Sequence, residues 1–187
     1  KTGARLFCDT FAPRIERGAG VVAVERLPYF AEMLTEFLAE LDSIILVGAQ
    51  PPVGFFAYPG KPSWCLPEGC RIHYLAQPHE DGGRALAALA DALGASEPDE
   101  CPALALPDAP ANKFNAFTLG QALARCLPED TVISDDGATS SGPVLAALAT
   151  APRHVHMALT GGSIGQGLPV AVGAAVAAPD RKVVCMT

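Results

Sequence analysis

The sequence has no run of basic residues. Its 13 Lys and Arg are scattered among 20 Asp and Glu, for a formal net charge of −7. Nucleic-acid backbones and anionic membrane surfaces are held by clustered cations, so neither is an expected partner. The chain also lacks a C-x-x-C pair. Six cysteines are present, Cys8, Cys65, Cys70, Cys101, Cys126 and Cys185, and the nearest two bracket Leu-Pro-Glu-Gly without His or Cys partners that would complete a zinc knuckle. An even count leaves a disulfide framework open. No secretory signal precedes the first strand, so reduced thiols in a cytoplasmic protein are the expectation. Charge is missing altogether between Met157 and Pro179, a stretch long enough to span a bilayer. Its Gly161, Gly162, Ser163, Gly165, Gln166, Gly167 and Pro169 are loop chemistry leading into a small-residue helix, so no membrane span is expected. Also absent are a start methionine and any residue after the apolar Lys182-Val-Val-Cys-Met-Thr187, and the chain therefore reads as a piece of a longer protein.

What is present is an alternation of short apolar runs with helical periods over 187 residues, half of them hydrophobic, enough for one sizeable core or two small ones. Strands are expected at 4–8, 43–47 and 71–75, with helices over 30–41 and around Leu86 to Leu93, the second stopped by Gly94. Such alternation implies a parallel sheet covered on both faces. Pro98, Pro102, Pro107 and Pro110 then break the pattern as an extended linker. A second unit follows, with a helix over 116–126, a strand over 131–134, a helix over 139–149, a strand over 154–158, a helix ending at Ala178 and a last strand. The fold class is α/β: two Rossmann-like parallel-sheet units at 1–95 and 113–187, joined by a Pro-rich linker at 96–112, the second unit truncated.

Two stretches carry chemistry. Asp135-Asp-Gly-Ala-Thr-Ser-Ser-Gly142 lies where a strand gives way to a helix, and amides and hydroxyls at such a point suit phosphate. An ordinary helix cap uses the same residues. Asp135 and Asp136 are adjacent, so their side chains point different ways and suit a turn better than a metal pair. The second stretch, Gly161-Gly-Ser-Ile-Gly-Gln-Gly-Leu-Pro-Val-Ala-Val-Gly173, also joins a strand to a helix. It matches neither G-x-G-x-x-G nor the P-loop, and alone it fits tight packing as well as a ligand. His154 and His156 share one strand face, where packing is the plainer reading than ligation. The aromatic loop from Phe55 to Trp64 fits local packing, a site or an interface.

Taken in order, strand–Asp-x-Gly–hydroxyl-rich helix, strand–Gly-x-x-Gly-x-x-Leu-Pro-x-Ala-x-Gly–helix, then Pro179-Asp-Arg-Lys-Val-Val184, the second unit resembles the pyrophosphate-binding domain of thiamine-diphosphate enzymes such as acetolactate synthase large subunits and benzoylformate decarboxylases. The first unit resembles that family's central domain without its first strand and helix. The resemblance implies thiamine diphosphate and Mg2+ as cofactors, and a small 2-keto acid substrate that is decarboxylated or joined to an acceptor. It also implies a homodimer or homotetramer at full length. The diphosphate-contacting pair falls on Ala138 and Thr139, and Ala138 offers only backbone. The glycine whose carbonyl receives the aminopyrimidine amine falls on Gly162, followed by Ser163. The bulky residue that props the bent cofactor falls on Ile164. The metal-binding Gly-Asp-Gly is expected directly after Thr187. The activating glutamate belongs to a domain that this stretch does not include, so Glu25 is no candidate, no catalytic residue is assigned here, and the stretch alone is expected to be inactive.

Departures narrow the reading. Acetolactate synthases usually carry Gln-His where Ala138-Thr139 stand and Met where Ile164 stands. They bind FAD partly through an acid-rich segment after a strand; here that place reads Leu75-Ala-Gln-Pro-His-Glu-Asp81, without the usual pattern. Two other readings remain: a non-catalytic nucleotide-binding or interaction module of the same fold, and a nicotinamide oxidoreductase, which lacks its fingerprint glycines.

Overall fold

A computed structural model describes residues 2–95, 101–110 and 113–187. The chain divides into two compact units, Lys1–Thr10 with Val24–Glu97 and Phe11–Ala23 with Pro98–Thr187. The segment 11–23 thus leaves the first unit, where the sequence places it, and belongs to the second.

In the first unit, strand β1 (Phe7–Cys8) is short. The second unit's β2 (Ile15–Arg17) comes next in the chain. Strand β3 (Glu25–Arg26) then pairs parallel with β1. Helix α1 (Ala31–Leu38) buries Ala31, Leu34 and Leu38, the i, i+3, i+7 stripe. It packs on β4 (Ser43–Val47), which pairs parallel with β5 (Arg71–Ala76). Leu27, Leu34, Leu38, Ile44, Leu46, Cys65 and Leu66 form the core. Helix α2 (Gly82–Ala92) is capped by Asp81, whose side chain accepts from the Arg84 amide. The sheet is not covered on both faces as expected: Ile45 is 56% exposed, Tyr74 is also exposed, and α2 has no buried residue. Tyr29, Phe30, Phe55, Phe56 and Tyr58 pack ring against ring, with Phe55 and Phe56 centroids 4.7 Å apart.

The second unit holds a four-stranded sheet. Helix α3 (Ala116–Cys126) opens with a capping box in which Asn115 and Thr118 satisfy each other's amides. Strand β6 (Thr131–Asp135) is buried at every position. A 3-10 turn (Ala138–Ser140) leads into α4 (Ser141–Ala147), where the sequence suggests one continuous helix. Strand β7 (His154–Met157), a second 3-10 turn (Thr160–Gly162), α5 (Gly167–Ala177) and β8 (Val183–Met186) complete it. The order is β2-β7-β6-β8. Strands β6, β7 and β8 are parallel, as expected, whereas β2 adds an antiparallel edge, Arg17 opposite His154 and Ile15 opposite His156.

Alternation along β6 sends Ile133 toward α3 and α4, where it joins Ala124, Leu127, Val144, Leu145 and Leu148 in the second core. Ser134 faces the other way, and its Oγ donates to the Gly167 carbonyl of α5 at 2.8 Å. The helices following β6 and β7 therefore lie on opposite faces. Of the expected linker, 96–100 and 111–112 lie outside the described residues. Residues 101–110 are pinned along the second unit: the Ala105 amide donates to the Thr150 carbonyl, and Arg125 donates to the Pro107 carbonyl. All six cysteines are free thiols. No helix among the described residues is long and apolar enough to cross a membrane.

Candidate cofactor site at the carboxyl ends of the sheet

In open parallel sheets, ligands collect beyond the carboxyl ends of the strands, where successive helices depart to opposite faces. Here the end of β6 carries the two adjacent acids, and alternation splits them. Asp135, 4% exposed, turns toward α4. Its Oδ1 accepts from Ser141 Oγ at 2.6 Å and from the Gly137 amide at 2.9 Å, while Oδ2 lies 2.9 Å from Nε2 of the fully buried His156. Burial pushes this carboxyl up, yet the hydrogen bonds from His156, Ser141 and the Gly137 amide, with the His156 charge, hold it below the ordinary carboxylate range. The Asp135 side chain thus fixes the turn that opens α4.

Asp136 turns to the opposite side. Its amide donates to the Met186 carbonyl at the end of β8, at 2.6 Å. Its Oδ2 accepts from the Gly165 amide at 2.7 Å and the Gly167 amide at 3.2 Å. A Cβ on Gly167 would fall 2.6 Å from Asp136 Cβ, so only glycine admits this approach. Gly165 has φ +90°, a conformation glycine adopts without strain. Gln166 anchors the loop from its other side, its Nε2 donating to the Ala158 carbonyl.

These contacts bring the two sequence stretches together. Ala138 and Thr139 follow Asp136 by two and three residues; Ser163 and Ile164 precede Gly165 by two and one. Ala138 is exposed at φ +44°, uncommon outside glycine. Thr139 and Ser140 are exposed, and Ser140, which precedes α4, makes no side-chain cap. Gly162 sits half-buried at φ +71°, Ser163 is exposed, and Ile164 stands 79% exposed. The hydroxyls and amides of one loop and the apolar side chain of the other therefore face solvent from neighbouring strand ends. Sequence reading gives both acids a turn role, which Asp135 fills, but misses the reach of Asp136 to the glycine loop and the parts of Ser134 and His156 as supports. The readable signal was Ser134-Asp-Asp136 at a strand end: successive side chains there must serve both faces.

His154 is buried beside His156, its Nδ1 2.8 Å from the Pro152 carbonyl and its Nε2 buried without a partner among the described residues. Burial, with Arg17 and His156 nearby, lowers its pKa despite the Pro152 hydrogen bond. Among the described residues no three His, Cys, Asp or Glu gather to hold a metal ion. After β5, Glu80 accepts from the Gln77 amide at 2.7 Å and Asp81 caps α2, so both acids of the segment where FAD would be expected are engaged with their own backbone.

Known proteins resemble this chain in sequence and fold. Residues 137–187 match the family described as thiamine pyrophosphate enzyme, C-terminal TPP binding domain. Over 99% of its length the chain is 45% identical to a Mycobacterium tuberculosis protein named "Putative acetolactate synthase large subunit IlvX", of which it covers 36%. Among solved structures, the thiamine diphosphate-dependent 4-hydroxybenzoylformate decarboxylase of Rhodococcus jostii RHA1 matches 85% of the chain with a TM-score of 0.59 and 25% identity. The match covers 33% of that structure, so the chain spans about a third of the length of either relative. Sequence order, fold and paired loops point the same way: over residues 137–187 the chain resembles the thiamine pyrophosphate-binding domain, and over most of its length it resembles part of these two relatives.

Proposed function

We propose that this chain supplies part of the cofactor-binding half of a thiamine-diphosphate-dependent enzyme that cleaves the bond beside the carbonyl of a 2-keto acid. The observation that carries the reading is the joining of the hydroxyl-rich turn and the glycine loop by Asp136 at the strand ends. The donor set suits a diphosphate at one loop: the Ala138 and Thr139 amides and the Thr139 hydroxyl, both residues being exposed. The other loop suits an aminopyrimidine, with the Gly162 carbonyl accepting its amine, Ser163 beside it, and the Ile164 side chain as an apolar prop. When bound, thiamine diphosphate supplies the electron sink for decarboxylation. The chain's own part is to hold and orient that group; no residue of this stretch is assigned to proton transfer. Mg2+ belongs to the reading as the ion that would accompany the diphosphate, and the described residues offer no cluster of their own to hold it. FAD gains no support from Glu80 and Asp81, which accept from the Gln77 amide and cap α2. The proposed enzyme is cytoplasmic and a homodimer or homotetramer, and it either releases an aldehyde or joins the donor to an acceptor as acetolactate synthases do.

The test is a titration of the protein at full natural length with thiamine diphosphate and Mg2+, followed by assay of carbon dioxide release from pyruvate and benzoylformate. Saturable binding with release from either acid is the expected result. Failure to bind at millimolar cofactor would overturn the reading, and binding without turnover on any 2-keto acid would favour a non-catalytic module of the same fold.

A further inference from the structure

We infer that Asp136 is a positioning residue for the cofactor: it sets the spacing between the turn proposed to hold the diphosphate and the glycine loop proposed to hold the aminopyrimidine. This rests on the thiamine diphosphate reading above. One carboxylate oxygen accepts from two amides of the opposite loop, Gly165 at 2.7 Å and Gly167 at 3.2 Å. Gly167 is held a second time, its carbonyl taking the Ser134 hydroxyl at 2.8 Å. Asp136 is itself fixed to β8 through its amide and the Met186 carbonyl. The start of α5 is thus locked, amide and carbonyl, to consecutive parts of the β6 end.

The same carboxylate decides which loop receives an anion. A helix start carries unpaired amides and positive potential, and α5 offers them within reach of the turn. Asp136 occupies the Gly165 and Gly167 amides and brings a negative charge there, so an incoming diphosphate finds that end filled. The turn at Ala138–Ser140 keeps its hydroxyl-bearing Thr139 and Ser140 exposed. The clasp therefore directs the diphosphate to one loop and leaves the glycine loop for the uncharged ring. A ligand touching both loops gains from their fixed spacing, as tethered sites do. A ligand touching only the turn gains nothing from it.

That difference supplies the test. The protein at full natural length, with Mg2+, is titrated with thiamine diphosphate and, separately, with inorganic pyrophosphate. For Asp136→Ala we expect about tenfold or greater loss of affinity for thiamine diphosphate, the scale of losing charge-assisted hydrogen bonds. Pyrophosphate affinity should not fall, since its single-loop contacts do not depend on the spacing and removing the carboxylate frees the Gly165 and Gly167 amides to an anion. Asp136→Asn keeps an acceptor oxygen and should restore thiamine diphosphate affinity to within about threefold of wild type. Should Asp136→Ala not fold, Gly165→Ala disturbs the clasp from its other side: the space is open but φ is +90°, and the same split is expected. Equal loss of both ligands, or no loss of thiamine diphosphate affinity, overturns the inference while leaving the cofactor reading standing. A wild-type protein that binds no thiamine diphosphate overturns both.

Discussion

Asp135, Asp136, His154 and His156 show how much a single residue's facing decides. The two acids look equivalent in the sequence, yet one is a buried support and the other a bridge between loops. Their divergence was legible from strand alternation; their partners were not, because Gly165 lies 29 residues from Asp136 and His156 lies 21 from Asp135. Substituting His156→Leu leaves a buried carboxylate short of one partner and should cost about 3 kcal/mol of stability, measured by urea unfolding at pH 7. Acid should remove what Asp135 contributes. Its folded pKa is depressed, so that contribution is complete above the unfolded value of about 4 and is lost as pH falls through the lower folded value. His154 adds a pH dependence of its own. Its folded pKa is also depressed, so the unfolded chain takes up a proton first, and stability should decline as pH drops below about 6.5. His154→Leu removes that uptake, and its stability measured from pH 7.5 to 5.5 should fall less steeply than the wild type's.

At the scale of elements, the sequence reads well wherever periodicity is strong. Helix α3, with its apolar spacing, has the expected bounds, and β4 to β8 lie within a residue or two of expectation. Strand β2 was not legible: Ile15-Glu-Arg17 has one apolar residue, and its strand character comes from pairing with β7. Strand β4 misled differently, because Ser43-Ile-Ile-Leu-Val47 reads as buried on both faces while Ile45 is exposed. In the second unit, α3 and α4 approach so closely that a Cβ on Gly120 would lie 2.8 Å from Ala147 Cβ and 2.9 Å from the Val144 backbone. Backbone cannot yield as a flexible side chain does, so Gly120→Ala should destabilise by about 1–3 kcal/mol despite alanine's better helix propensity. A lowered denaturant midpoint with an unchanged slope would bear this out; a gain in stability would contradict the contact. Asn115→Ala opens the capping box of the same helix and should cost about 1 kcal/mol on the same measurement.

For the whole molecule, one change of unit falls at Glu97–Pro98, within the Pro-rich break, and it is not the only one. The chain begins in the first unit, lends 11–23 to the second, returns, and enters the second again after Glu97. That path was hidden because 11–23 has neither helical nor strand periodicity, and its place depends on long-range contacts. Ala19 donates to the Ala151 carbonyl, Gly20 to the Pro102 carbonyl, and Arg153 pairs with Glu16. Cutting at the apparent linker would therefore not yield an intact second unit. A polypeptide of residues 101–187 loses β2, turns β7 into an open edge and uncovers the side of the sheet beside the buried His154 and His156. It should be less stable than the 187-residue chain by about 3 kcal/mol or more, the sum of several lost ladder and side-chain hydrogen bonds. It should also self-associate, because an unpaired edge strand templates pairing with another copy. Thermal melts and sedimentation of the two polypeptides, alone and with a peptide of residues 11–23, test this. Recovery of the monomer on adding the peptide is the expected outcome, and equal stability without it would mean that β2 decorates the sheet rather than closing it.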